Sequence, residues 1–150
     1  MEILEVINCG SRELKKNNIR SYKLDSEILL AKILKKKREE VLINLQQEVA
    51  PQVVVDFNKL IARRSLNEPI AYILEEKEFW SKMFLVSKDT LIPRPETELM
   101  VEKIVNIFKK KNIKIMDIGT GTGCILLSIL SELKKSSGIG IDISKKAIQI

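Results

Sequence analysis

The chain has 150 residues, 45% hydrophobic but only 5% aromatic, with 26 basic against 20 acidic side chains and a formal charge of +6; this length suits one ordinary domain or two small ones around an aliphatic core. Histidine is absent and the two cysteines, Cys9 and Cys124, stand far apart, which excludes histidine-dependent nucleophilic catalysis and most zinc sites and leaves the cysteines as reduced small hydrophobes. No apolar run reaches bilayer-spanning length, and Met1-Glu2-Ile3-Leu4-Glu5 lacks the form of a signal peptide, so a cytoplasmic location with no membrane partner is expected.

Residues 1–72 read as helical. Ile3, Val6, Ile7 and Leu14 form an imperfect amphipathic stripe. Asp25-Ser26 is placed to cap a second helix carrying Ile28, Leu29, Leu30, Ala31, Ile33 and Leu34. That stretch is apolar on several faces and is expected at the centre of a small bundle. Val41, Leu42 and Leu45 suggest a short third helix. Pro51 suits the first turn of a fourth, with Val53, Val54, Phe57, Leu60 and Ile61 on one side.

Pro69 breaks the pattern, and from Ile70 to Ile92 the residues turn toward strand formers. Glu78-Phe79-Trp80 and Met83-Phe84-Leu85-Val86 predict a β-hairpin turning at Ser81-Lys82, and residues 73–94 are read as a linker. Pro95, with Glu96 and Glu98 behind it, predicts a helix start, and Val101, Ile104, Val105 and Phe108 give that helix its stripe. A strand over 113–118, a helix over 123–134, a strand over 138–142 and a helix starting at Ser144 complete the chain.

Between the first of these strands and its helix stands Asp117-Ile118-Gly119-Thr120-Gly121-Thr122-Gly123, and Asp142 follows nineteen residues after Gly123. Five of the six glycines lie between Gly119 and Gly140, so glycine is concentrated here rather than being general to the composition. A loop that passes from strand to helix and lets its backbone approach a ligand needs glycine, and an acid after the second strand is placed to accept from ribose hydroxyls. The spacing fails the dinucleotide pattern G-x-G-x-x-G because the third glycine would fall on Cys124. It fails the phosphate-loop pattern because no Lys-Ser or Lys-Thr follows. The lysine clusters Lys35-Lys36-Lys37-Arg38, Lys109-Lys110-Lys111 and Lys134-Lys135 each close an apolar-periodic segment. They read as solvated helix ends, with phosphate contacts as the alternative.

The D-x-G-x-G-x-G run resembles the first motif of the S-adenosylmethionine-dependent methyltransferases of the Rossmann-like class. Ahead of it lie Arg63-Arg64, Pro69-Ile70-Ala71-Tyr72-Ile73, Glu78-Phe79-Trp80 and Leu91-Ile92-Pro93-Arg94-Pro95-Glu96-Thr97-Glu98. In this order they resemble the release factor glutamine methyltransferases, the HemK family. The resemblance implies an α+β chain in two parts: a helical substrate-recognition bundle (1–72), a β-hairpin linker (73–94) and the start of a Rossmann-like α/β methyltransferase domain (95–150). It implies methyl transfer from S-adenosyl-L-methionine to the side-chain nitrogen of the glutamine in the Gly-Gly-Gln loop of peptide-chain release factors. By the same resemblance Gly119, Thr120, Gly121, Thr122 and Gly123 would bind the cofactor, Asp142 its ribose, and Arg94, Pro95 and Glu96 would lie near the substrate. Nucleic acid is not the expected substrate, since the Pro-Arg-Pro-Glu-Thr segment after a Phe-Trp hairpin sets the chain apart from nucleic-acid adenine methyltransferases.

Three departures stand out. Family members carry glycines near positions 75 and 81, where this chain has Glu75 and Ser81, which puts the hairpin geometry in question. The family's Asn-Pro-Pro-Tyr segment, which holds the substrate amide, is absent from these 150 residues. No residue therefore receives a catalytic role, no metal site is expected, and the methyltransferase domain is expected to be truncated. With few strands to pair, the last third is expected to be weakly held. A truncated, non-catalytic remnant or binding module without turnover is the alternative, and a nucleic-acid adenine methyltransferase is a further one.

Overall fold

The computed structural model describes residues 1–150. The chain divides into two compact units, Met1–Leu74 and Glu75–Ile150. No helix is long and apolar enough to cross a membrane.

The first unit is all helical: α1 (Ile3–Lys16), α2 (Tyr22–Leu34), α3 (Arg38–Ile43), α4 (Pro51–Ser65) and α5 (Ile70–Leu74). On α1 the buried positions are Ile3, Val6, Ile7, Gly10, Ser11 and Leu14, a stripe that recurs every three to four residues as a half-buried helix requires. Leu29, Leu30, Val41, Phe57, Ile61 and Ile73 complete the core from the other four helices. The N-terminus is strapped down by backbone bonds from Ile3 N–H to Gln47 O (3.0 Å) and from Val49 N–H to Met1 O (3.0 Å). Pro51 occupies the first turn of α4, where its missing N–H leaves no intrahelical acceptor unpaired.

Two sequence expectations change here. Asp25-Ser26 does not cap α2, because the helix begins three residues earlier at Tyr22 and both residues are buried inside it. Asp25 Oδ2 accepts from Arg64 Nε at 2.7 Å and from Ser21 Oγ at 2.8 Å, and Ser26 Oγ donates to Ile7 O at 2.8 Å. These residues serve contacts between helices that their local sequence does not reveal. Ile70–Leu74 is also helical rather than extended, with Tyr72 N–H and Ile73 N–H donating to Pro69 O.

The second unit opens with a hairpin of β1 (Glu76–Phe79) and β2 (Lys82–Leu85). Phe79 pairs with Lys82, so the turn is Trp80-Ser81 rather than Ser81-Lys82. Both turn residues have positive φ, 52° and 54°, as a two-residue primed turn demands of its central pair. Glu75 is also left-handed, at φ 65°. Two positions where glycine would be natural thus keep the backbone that favours glycine. Trp80 is anchored at both ends: its backbone N–H donates to Glu98 Oε1 at 2.8 Å and its indole Nε1 to Glu132 Oε1 at 2.9 Å. The Phe79 and Phe84 rings meet edge to face, 6.2 Å apart.

A 3₁₀ turn (Pro95–Thr97) leads into α6 (Glu98–Phe108), followed by β3 (Lys114–Ile118), α7 (Cys124–Glu132), β4 (Ser137–Ile141) and α8 (Lys145–Ile148). β3 and β4 pair in parallel, with Lys114 opposite Ser137 and Ile118 opposite Ile141, as a two-stranded sheet separate from the hairpin. Val101, Cys124, Ile129 and Leu133 join Phe79 and Phe84 in the second core. One sheet face is covered, and Gly138 permits the approach: a Cβ there would lie 2.5 Å from Leu126 Cδ1. The opposite face is bare, with Met116, Ile118, Ile139 and Ile141 all exposed, although parallel sheets ordinarily have both faces covered.

Candidate functional site

β3 runs directly into the glycine loop, and α7 starts at Cys124. Gly119, Gly121 and Gly123 all have positive φ, 79°, 55° and 73°, a conformation that strains any side chain. A Cβ added to Gly119 or Gly121 would meet nothing within 4 Å. The backbone angle therefore selects glycine at these two positions, and the open space beside them lets a ligand lie against bare main chain.

The loop is braced from β4 and the residues after it. Gly119 and Thr120 both donate their backbone N–H to Ile141 O, at 2.8 and 3.0 Å, and Gly123 N–H donates to Thr120 O at 2.8 Å. Thr120 Oγ1 donates to Asp117 Oδ2 at 2.9 Å. The Thr120 side chain rests over Gly140, where a Cβ would come within 2.7 Å of Oγ1. Gly121 N–H donates to Asp142 Oδ2 at 2.8 Å, across 21 residues of sequence. The other oxygen, Asp142 Oδ1, accepts from Ser144 N–H at 2.8 Å. Backbone hydrogen bonds from Ser144 and Gly121 hold the Asp142 carboxyl below the ordinary aspartate range, because they favour the ionised acceptor. An ionised carboxylate has about four acceptor positions, so Asp142 keeps capacity for a ligand hydroxyl while it holds the loop.

The loop lines a cavity of about 110 Å³ together with the Leu91–Arg94 segment and Thr97. Gly119, Thr120, Gly121 and Thr122 line it together with Arg94. Gly123 marks the start of α7, and Asp142 reaches the loop through Gly121. Pro95 and Glu96 begin the 3₁₀ turn, are exposed and do not line the cavity. Cys124 and Ile125 add apolar lining beside Leu91, Ile92 and Pro93. Burial pushes the Cys124 thiol above its ordinary value, so at neutral pH it is an uncharged wall group and not a nucleophile. No group of three or more Cys, Asp or Glu is placed to hold a metal ion.

Sequence reasoning named three further contributors without giving them a role at the site: Asp117, which fixes Thr120; Gly140, which gives Thr120 room; and Ser144, which donates to Asp142. Ser144 had a readable signal, because an aspartate commonly accepts from the backbone two residues on. Gly140 had none, since its role depends on the register of β3 with β4. Taken together, the arrangement is a shaped and hydrogen-bonded place for a polar ligand, with no reactive side chain of its own.

Residues 5–74 match the PrmC N-terminal domain family. The release factor glutamine methyltransferase of Buchnera aphidicola subsp. Baizongia pistaciae is 44% identical over 151 residues, a match that takes in 100% of this chain and 54% of that protein. The protein of the same name from Haemophilus influenzae is 45% identical over 125 residues, covering 79% of this chain and 43% of its own length. A bifunctional methyltransferase from Rickettsia typhi is 34% identical over 167 residues, covering 99% of this chain and 32% of that protein. The chain thus spans about half the length of the Buchnera relative. With the N-terminal domain matched over residues 5–74 and the likeness continuing through the glycine loop, the chain is similar along its whole length to the N-terminal part of the release factor glutamine methyltransferases.

Proposed function

We propose that this chain serves the S-adenosyl-L-methionine-dependent methylation of the glutamine side chain in the Gly-Gly-Gln loop of peptide-chain release factors, in the cytoplasm. In this reading the helical unit helps hold the release factor, and residues 95–150 are the cofactor-binding start of a Rossmann-like methyltransferase domain. One observation carries it: the loop Gly119–Gly123, left-handed at all three glycines, is tied by its Gly121 amide to the Asp142 carboxylate.

The residues present suit the cofactor in kind. Bare backbone at Gly119 and Gly121 faces open space, and Asp142 is an ionised acceptor set to receive ribose hydroxyls. The cavity of about 110 Å³ is smaller than the roughly 300 Å³ at which ligand pockets begin, so it would take one portion of the cofactor. When bound, S-adenosyl-L-methionine supplies an electrophilic methyl group on a sulfonium. Gly119–Gly123 and Asp142 would orient it, and the Arg94 segment and Ile125 would screen one side from water. An amide nitrogen is a weak nucleophile because its lone pair is delocalised, so alignment of the two reactants is where most of the rate enhancement would arise. No residue on the cavity wall is assigned the task of orienting that amide.

This last point favours a second reading, a binding module without turnover. Two measurements separate them. Equilibrium dialysis with labelled S-adenosyl-L-methionine should show saturable binding that falls at least 10-fold in Asp142→Ala, about the loss of one charge-assisted hydrogen bond. Equal binding by the variant would remove the cofactor assignment. Incubation with a release factor, followed by peptide mass analysis, should place one methyl group on the Gly-Gly-Gln glutamine. Cofactor binding without that methyl group would support the binding module.

A further inference from the structure

Two of the three lysine clusters, 23 residues apart in the sequence, converge on one cavity. The turns after α6 and α7 bring Lys109, Lys110, Lys111, Lys134 and Lys135 around a space of about 310 Å³. The parallel pairing of β3 with β4 imposes this, because both helix-to-strand turns then lie at the same end of the sheet. Hydrogen bonds pin them side by side: Ile113 N–H donates to Ser136 Oγ at 3.1 Å and Ser137 N–H to Ile113 O at 3.1 Å. The glycine loop leaves β3 at the opposite end of that strand, so this cavity is separate from the candidate cofactor site.

Cations at helix C-termini are ordinary. Five around one concavity are more than two helix ends require, and all five are exposed. None forms an ion pair; the acidic groups in salt bridges are Glu27, Asp56, Glu68, Asp25 and Asp89, each with a different cation. Glu132 is the one acid on the cavity wall, and its Oε1 is directed to the Trp80 indole. Five lysines against one carboxylate leave four uncompensated positive charges, and a concave wall focuses their field.

We propose that this cavity is an interaction surface for single-stranded nucleic acid, held through its phosphate backbone without reading of sequence. The residue types favour phosphodiesters over an acidic protein surface. Planar two-point recognition of carboxylates is the specialty of arginine, whereas lysine ammonium groups act as point charges suited to phosphate oxygens. The cavity contains no arginine and no aromatic wall residue on which a base would stack, and Asn112 adds an amide donor. Contacts of this kind position a nucleic acid and do not specify its bases.

The test is fluorescence anisotropy with the full chain and a labelled single-stranded RNA across a salt series. Neutralising about four phosphates gives a log–log salt slope of about −2.8, hence a loss of about 50-fold between 50 and 200 mM salt. K110Q/K134Q/K135Q should flatten the slope by about 2, at roughly 0.7 per lost contact. K35Q/K36Q/K37Q removes the same charge from the helical unit and should leave the slope near that of the parent. Equal losses in the two variants would show diffuse attraction to a basic protein and overturn the proposal. So would equally tight binding of poly-glutamate with the same dependence on the cavity lysines, which would assign the surface to an acidic protein.

Discussion

Gly10 sits inside α1, and replacing it with alanine pits two effects of opposite sign against each other. By helix propensity alone Gly10→Ala should stabilise the chain by about 1 kcal/mol. The packing says otherwise. A Cβ at this position would lie 2.5 Å from Phe57 Cζ, 2.9 Å from Phe57 Cε1 and 2.7 Å from Ser26 Oγ. Phe57 and Ser26 are both fully buried, and Ser26 is tied to Ile7 O, so neither gives way freely. Overpacking of this kind costs about 1–3 kcal/mol. With two rigid neighbours the upper end applies, for a net destabilisation of about 2 kcal/mol after the propensity gain. The assay is urea unfolding followed by tyrosine fluorescence, since Tyr22 and Tyr72 lie in the helical unit, with the single tryptophan, Trp80, reporting the second unit separately. The tyrosine midpoint should fall with its slope unchanged, while the tryptophan transition stays in place. In a double-mutant cycle Phe57→Leu should reduce the alanine penalty, because it removes the ring that the methyl group meets and leaves only the contact with Ser26 Oγ. A Gly10→Ala chain as stable as the parent, or more so, would refute the claim that glycine is required by this crossing of α1, α2 and α4.

Ser81→Gly should stabilise the second unit by about 1 kcal/mol, because a left-handed serine at φ 54° gives way to a residue without that strain; a lower midpoint in the tryptophan transition would contradict it. Arg64→Met should cost about 3–5 kcal/mol by stranding the buried Asp25 carboxylate, and adding Asp25→Asn should recover a large part of that loss; no recovery would mean that the arginine acts through packing. The Asp142 carboxyl is held low in the folded chain, so the brace on Gly121 is present at neutral pH and is lost only as pH falls through that depressed value. The Gly121 amide resonance should therefore titrate with a midpoint below the ordinary aspartate range, and a midpoint at or above it would remove Asp142 from this role. Limited proteolysis should cut residues 113–150 before 25–66, since the bare sheet face leaves the later segment with less buried surface; equal protection would count against this.

The helical unit was largely legible because its signals are local. The stripe on α1 and the proline opening α4 each state a period or a boundary within a few residues. The glycine loop was legible for the same reason: its three left-handed positions are written as glycine, and Asp142 follows at the spacing of a strand–helix–strand unit. Where local signal and tertiary demand disagreed, sequence reasoning went astray. Asp25-Ser26 looks like a helix cap, yet both residues turn inward to partners 39 and 19 positions away. Trp80 is an unfavoured residue for a left-handed turn position, and its two hydrogen bonds to Glu98 and Glu132 explain why it is held there.

By itself, then, the sequence determined most of the order of elements and the position of a glycine loop between a strand and a helix, because hydrophobic period, proline and glycine act over a few residues. Only the tertiary structure decided that Gly10 must be glycine, that Gly140 makes room for Thr120, that Asp142 braces Gly121, and that two lysine clusters face one cavity. Each of these depends on a close approach between segments distant in the chain, and such distances are set by packing and strand register rather than by any residue's own preference.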